Sequence, residues 1–213
     1  PFRSGSSAKL YQRLWTKEGS PIKIYGMSVA RKLQQHLGDN YAVELAMRYQ
    51  SPDLETALKK LIFEIKVSEI VVFPMFPQYA SATTGSVHDE VMRLLRQWDL
   101  IPNVKMINSY PDNPEMIDVF VQNAKKYEVT SYDHFIFSFH GVPERHVKKA
   151  DPSGSHCLKK ENCCNLACLE NQFCYSAQCH TTAHAIATKL GLDKEQYSIT
   201  YQSRLGKDPW LQP

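Results

Sequence analysis

Six cysteines, Cys157, Cys163, Cys164, Cys168, Cys174 and Cys179, crowd into one stretch of a 213-residue chain that has no others. Thiols gathered this tightly ligate metal, pair as disulfides, or pack. The spacing contains no Cys-x-x-Cys pair and so fits a zinc ribbon or finger poorly. Six thiols permit disulfides on count alone. In a reducing compartment, however, thiols stay reduced and a cysteine cluster more often binds metal. His156, at the head of the stretch, offers an imidazole that could replace one thiolate.

Three shorter segments carry other chemistry. In "MRYQSP", Arg48 is a fixed cation beside the ring of Tyr49, a pair suited to an anionic, planar ligand; the plainer reading is a surface arginine capping a neighbouring element. In "PMFPQYASATTGS", Tyr79, Ser81, Thr83, Thr84 and Ser86 present hydroxyls on an extended, proline-held backbone, and Gly85 permits close approach of the chain. That is the composition of an anion- or carboxylate-binding turn, and equally of a helix cap. In "FSFHGVPERH", His140 closes an apolar run, where an imidazole can accept a proton near neutral pH, ligate a metal, or simply be a satisfied structural residue.

The surrounding pattern says where these segments must sit. A helix is expected from Ser7 through Leu10, Tyr11, Leu14 and Trp15, ended by Gly19. A second runs from Ser20 as N-cap and Pro21 at the first helical position to Gly38, with an apolar stripe through Ile22, Tyr25, Val29, Leu33 and Leu37. "YAVELAMRY" alternates as a strand does, and a helix follows from Ser51 and Pro52 with Leu54, Leu58 and Leu61 facing inward. "EIVVFPMF" and "DHFIFSFHG" are unbroken apolar runs, expected as strands covered on both faces. Helices are expected at 86–98, from Pro114 and through "TTAHAIATKLG", with short strands at "NVKMINSY" and "YSITYQS". This alternation predicts α/β architecture with parallel sheets, divided near residue 112. In such sheets ligands sit beyond the carboxyl ends of the strands, where Arg48, Tyr79 and His140 fall.

Composition excludes several alternatives. A net charge of +3 and the lack of any run of five Lys or Arg give no nucleic-acid footprint; the basic residues of 145–149, interrupted by His146 and Val147, read as a solvated face. The longest apolar run, 70–77, is far too short to span a membrane. No signal peptide is visible. The absence of an initiator methionine and the ending "PWLQP" lead us to expect that both ends are internal points of a longer chain.

Taken together, "GSP", "MRY", "FPQYASATTGS", "FSFHGVPERH" and "YQSRLGKDPWLQP", in this order, resemble the ferrochelatases, enzymes that insert ferrous iron into a porphyrin to make haem. The resemblance runs from about Tyr11 to Pro213, outside the cysteine stretch. It implies a chelatase fold of two doubly wound, parallel-sheet, Rossmann-like domains with a porphyrin cleft between them, here truncated at both ends. Residues 1–111 would belong to the first domain and 112–213 to the second, with a cysteine-rich insertion at about 152–174. The family's histidine falls on His140, as proton acceptor or transient ligand of the substrate Fe²⁺; Arg48, Tyr49, Tyr79 and Thr83 match its substrate-binding residues. Its partner glutamate would lie beyond Pro213, so the 213 residues alone are expected to be inactive or weakly active.

The resemblance also bears on the thiols. Some ferrochelatases carry a [2Fe-2S] cluster, which takes four thiolates in an all-cysteine site, and one bacterial group draws all four from an internal segment of this kind. Animal enzymes use one cysteine from the loop after "PQY", where this chain has Ser81. The implied ligands are Cys157, Cys163, Cys164 and Cys174; Cys179 reads as packing, and Cys168 or Cys179 remains an alternative ligand. The expected function is insertion of Fe²⁺ into protoporphyrin IX in the cytoplasm, with transient membrane-surface contact and no nucleic-acid partner. The alternatives are a chelatase for coproporphyrin or another tetrapyrrole or metal, and a non-catalytic iron-sulfur or redox-sensing module.

Overall fold

A computed structural model describes residue 8 and residues 11–212. It gathers the chain into two compact units, one of residues 1–71 and 90–105, the other of 72–89 and 106–213. The chain therefore passes between them at three points. The reason lies in the loop before residue 85. Gln78 Nε2 donates to Thr182 Oγ1 at 2.8 Å and Tyr79 N to Gln178 Oε1 at 2.7 Å, tying this segment to a helix of the second unit.

In the first unit, helix α1 spans Pro21–Leu37. Pro21 presets the first turn, Ser20 precedes it in extended conformation without a side-chain cap bond, and Gly38 closes it at φ 74°. The expected stripe is present but uncovered: Ile22 and Tyr25 are each 71% exposed, and Val29, Leu33 and Leu37 are exposed as well. The expected strand at 41–49 is instead extended, mostly half-buried chain with a single bridge, Met47 to Asp53. Alternation makes a strand only when a neighbour supplies the ladder; here Gln34 ties the segment to α1, donating to Tyr41 O at 2.9 Å and accepting from Val43 N at 2.9 Å. Of the helix expected from Ser7, the part before Tyr11 lies mostly outside the described residues, and Gly19 sits in a tight turn bridged to Thr16.

Helix α2, Leu54–Lys59, is capped by Asp53 and not by Ser51, its carboxylate accepting from Thr56 N at 2.8 Å. It widens into a π turn at Lys60–Ile65 and buries Leu58 and Ile62. Strand β1, Glu69–Val72, buries Ile70 alone, and Val71 and Phe73 stay about half exposed. A further π turn at Ser81–Gly85 leads into helix α3, Ser86–Leu95, whose Val91, Leu94 and Leu95 are buried. Strand β2, Asn103–Met106, pairs with β1. Asn103 N donates to Ser68 O and Ile107 N to Val72 O, so the two strands advance together and form a parallel β-α-β unit.

The second β-α-β unit is larger. Helix α4, Pro114–Ala124, begins at Asn113, whose side chain accepts from Met116 N at 2.9 Å. Strand β3, Phe135–His140, leads to the short helix α5, Glu144–Lys149, then through the cysteine stretch to helix α6, Tyr175–Leu190, and strand β4, Tyr197–Gln202. β3 and β4 are parallel, in register from Phe135 opposite Tyr197 to His140 opposite Gln202. Contrary to the buried-run expectation, only one face of β3 is packed. Phe137 lies against Ile117, Val121 and Ile186 of α4 and α6, whereas Ile136 on the other face is 68% exposed. The α/β class with parallel strands holds. No described helix is long and apolar enough to cross a membrane.

Ile117 is 1% exposed at the centre of the α4-α6 contact. Truncating it leaves a cavity that packed neighbours refill only in part, so Ile117→Ala should lower unfolding free energy by about 2–5 kcal/mol, read as an earlier urea midpoint at unchanged slope. A loss below about 0.5 kcal/mol would show that this contact does not hold the unit together.

Candidate active site and thiol cluster

His140 is the last residue of β3 and is solvent-facing. Its Nδ1 lies 2.7 Å from the carbonyl oxygen of Gly141. A carbonyl only accepts, so Nδ1 carries the proton and the neutral ring presents an unprotonated Nε2. The position is fixed from several sides. Tyr175 donates to the His140 carbonyl at 2.8 Å, Gly141 N donates to Gln202 O at 2.7 Å, and the Trp210 ring lies 6.2 Å from the imidazole. The 208–211 segment returns across the strand end: Leu211 N donates to Val142 O, Glu144 N to Pro209 O, and Arg145 pairs with Asp208 at 3.1 Å. Gly141 is required by close packing, since a Cβ there would stand 3.2 Å from Ser203 O and 3.3 Å from Gln202 O.

Beside this strand end lies a cavity of about 620 Å³, lined by Tyr79, Ser81, Asn108, Arg145, His146 and Tyr175 among others. Ser81 Oγ is 3.2 Å from His146 Nδ1. Burial, then the neighbouring Arg145 and Lys149, hold His146 below the usual histidine range, favouring its neutral form. Tyr79 and Tyr175 thus share one wall with the residues behind His140. Thr83 turns to its own loop, donating to Ala80 O at 3.3 Å. Thr84 is fully buried and its hydroxyl has no hydrogen-bond partner. Arg48 and Tyr49 belong to the first unit: the guanidinium stacks 4.6 Å from the Tyr49 ring centre and lies 3.8 Å from a Glu90 carboxylate oxygen.

All six thiols are free. Cys164 Sγ lies 3.9 Å from Cys163 Sγ, and Cys164 packs against the small core that holds Cys157 and Cys174. The structure therefore gathers Cys157, Cys163, Cys164 and Cys174 around one small core. Cys157 and Cys174 are buried with Val142, Val147 and Ala177. Burial pushes the Cys157 thiol up to about 11, with Asp151, Cys163 and Cys164 adding to the effect and Cys174 opposing it. The bond to Cys174 and then burial raise Cys164, and burial raises Cys163. Protonated thiols in contact are what such a group is without a compensating cation; a metal centre supplies that charge and displaces the protons. The donor set fits a thiolate-ligated cluster. Cys179 is fully buried on α6 beside Tyr175, and Cys168 lies elsewhere, 3.6 Å from His156 Nε2.

Two residues that sequence reasoning missed hold the stretch in place. Asp151 is buried and accepts from Ser153 N, Ser153 Oγ, His156 N and Cys157 N at 2.7–3.0 Å. Although burial opposes it, these bonds keep the carboxyl well below the usual carboxylate range. The "DPSGS" run is a legible turn signal for such a role. Asn171, 2% exposed, accepts from Cys168 N at 2.9 Å and donates to Cys163 O at 2.9 Å and Leu166 O at 2.8 Å. Nothing in its local sequence distinguishes it.

This parallel α/β chain thus sets an imidazole at a strand mouth and a group of thiols beside one small core, both donor types that bind metal ions. Sequence comparison narrows that class. The ferrochelatase family model matches residues 1–213. Ferrochelatases of Stutzerimonas stutzeri (strain A1501), Coxiella burnetii (strain Dugway 5J108-111) and Legionella pneumophila (strain Paris) are each 39% identical to the chain, over 99%, 100% and 100% of it. The chain belongs to the ferrochelatase family. It spans 62%, 59% and 62% of the length of these relatives.

Asp151→Asn removes the charge that four donors converge on and should loosen the stretch without unfolding the unit. Cys157 should then alkylate with iodoacetamide at least tenfold faster at unchanged far-ultraviolet circular dichroism. Equal alkylation rates would show that Asp151 does not anchor the loop.

Proposed function

We propose that the protein containing this chain is a ferrochelatase that inserts Fe²⁺ into protoporphyrin IX, the last step of haem formation. The observation that carries the reading is the family match along all 213 residues. Metal insertion removes two pyrrole protons from the porphyrin as hydrated Fe²⁺ sheds water. The proposed role of His140 follows from its tautomer: with Nδ1–H held by Gly141 O, the Nε2 lone pair takes a pyrrole proton and becomes an imidazolium, or transiently ligates the incoming iron. Arg48, Tyr49, Tyr79 and Thr83 are proposed to bind the porphyrin, on the resemblance of their segments to the family. The division of the chain into parts of two domains near residue 112 is proposed on the same ground, as are cytoplasmic location and transient contact with a membrane surface.

We further propose a [2Fe-2S] cluster held by Cys157, Cys163, Cys164 and Cys174. The support is their grouping around one small core, with Cys163 Sγ 3.9 Å from Cys164 Sγ, and their freedom from disulfides. When bound, the cluster supplies positive charge that makes four closely grouped thiolates tolerable. Protein purified anaerobically should contain about two irons and two acid-labile sulfides per chain, with visible charge-transfer absorption. A colourless protein with one zinc per chain would overturn this assignment.

In the full-length enzyme, His140→Ala should lower the turnover number for Fe²⁺ insertion by about 100-fold or more while porphyrin binding, followed by difference spectroscopy, persists. Near-normal turnover would sink the role given to His140. Absence of porphyrin binding by the wild type would sink the activity itself.

A further inference from the structure

The cysteine stretch contains a second group of metal-ligating side chains. His156, Cys168 and Glu170 each bring one ligand atom to a common point, the three atoms lying within 4.8 Å of one another. All three side chains are half-buried. They supply an imidazole nitrogen, a thiol sulfur and a carboxylate oxygen, the mixed donor set that a borderline divalent ion such as Zn²⁺ takes, with a further position left for water or a carbonyl. The Cys163 carbonyl oxygen, 3.0 Å from His156 Nε2, is the nearest such group.

The donors are held from behind. The Asp151 carboxylate accepts from the backbone N–H of His156, fixing one side. Asn171 fixes the other by accepting from Cys168 N, and its amide donates to Cys163 O and Leu166 O. A group of ligands whose backbones are bonded to buried polar side chains is organised before any ion arrives. Charge also balances: one thiolate and one carboxylate neutralise a divalent ion in a half-buried site. Lys160, the cation beside Glu170, is exposed and can turn outward.

We propose that His156, Cys168 and Glu170 form a mononuclear site for a divalent transition ion, separate from the four-thiol group. Binding displaces the Cys168 thiol proton to solvent and moves the remaining imidazole proton to Nδ1, leaving Nε2 as ligand. This site does not depend on the activity proposed above. It also gives Cys168 a role that the four-thiol reading leaves open.

Cobalt serves as the probe, because a Co²⁺-thiolate bond absorbs in the near ultraviolet and tetrahedral Co²⁺ absorbs in the visible. Full-length protein purified anaerobically with its iron and sulfide content measured would be titrated with Co²⁺ and then with competing Zn²⁺. The wild type should bind one Co²⁺ per chain with both bands. Cys168→Ser should remove the near-ultraviolet band, and the nearly isosteric Glu170→Gln should weaken binding at least tenfold. Cys163→Ser should leave both bands in place, since it keeps the backbone carbonyl and alters only the four-thiol group. Saturation with no bound Co²⁺ would overturn the site. So would Co²⁺ bands that vanish in Cys163→Ser and persist in Cys168→Ser, or a Cys168→Ser protein that loses its iron-sulfur colour, either of which would place Cys168 or the bound cobalt with the cluster.

Discussion

Parallel pairing of β3 with β4, in register from Phe135–Tyr197 to His140–Gln202, is the constraint on which the second unit's chemistry rests. Parallel strands need a crossover connection, and here that crossover carries α5, the cysteine stretch and α6. The ladder ends at His140, and Gly141 N continues it by one further bond to Gln202 O. Because no side chain intervenes at Gly141, the 202–211 segment closes over the strand end and Trp210 reaches the imidazole. The same turn delivers the Gly141 carbonyl to Nδ1. Strand register, glycine and histidine tautomer thus form one chain of cause: shifting the ladder by a residue would turn His140 to the opposite face of the sheet.

The two anchors of the crossover act differently from its apolar contacts. Val142, Val147, Cys157, Cys174 and Ala177 form a small core, but Leu166 and Leu169 of the same stretch are 81% and 78% exposed. Burial of apolar surface therefore does little to choose one conformation there. Asp151 and Asn171 choose it instead, each binding several backbone groups that would otherwise be unsatisfied. Placed before Cys157 and between Cys168 and Cys174, the two anchors hold the intervening backbone with little help from regular structure.

Much of this arrangement was legible in the residues. The helix boundaries at Pro21 and Pro114, the strand ending at His140 and the pairing of Arg48 with Tyr49 follow from local chemistry: proline at a first turn, an apolar run stopped by a polar residue, a cation beside a ring. The grouping of Cys157, Cys163, Cys164 and Cys174 was suggested by resemblance and not by spacing, since no Cys-x-x-Cys pair marks it. What local sequence could not show was pairing. Val43, Leu45 and Met47 alternate as a strand does, yet bonds from Gln34 hold this segment to α1; Ile136 sits in an unbroken apolar run, yet the helices packed on β3 cover one face only. Asn171 is an ordinary asparagine until the chain folds its side chain against three backbone groups.

Thiol chemistry links the stretch to the strand end. The Tyr175 hydroxyl bonds the His140 carbonyl, and Tyr175 immediately follows Cys174 at the start of α6. Cys174 is also buried in the small core with Cys157, against which Cys164 packs, so its backbone position is set by that core on one side and by α6 on the other. The first turn of α6 therefore follows directly on a residue of the thiol group, and its first side chain is the one that holds the backbone of His140. On the proposed reading, Tyr175 is therefore the residue through which the thiol group bears on the strand end: it adjoins Cys174 in the chain and holds the His140 carbonyl, on the other side of the residue from the ring.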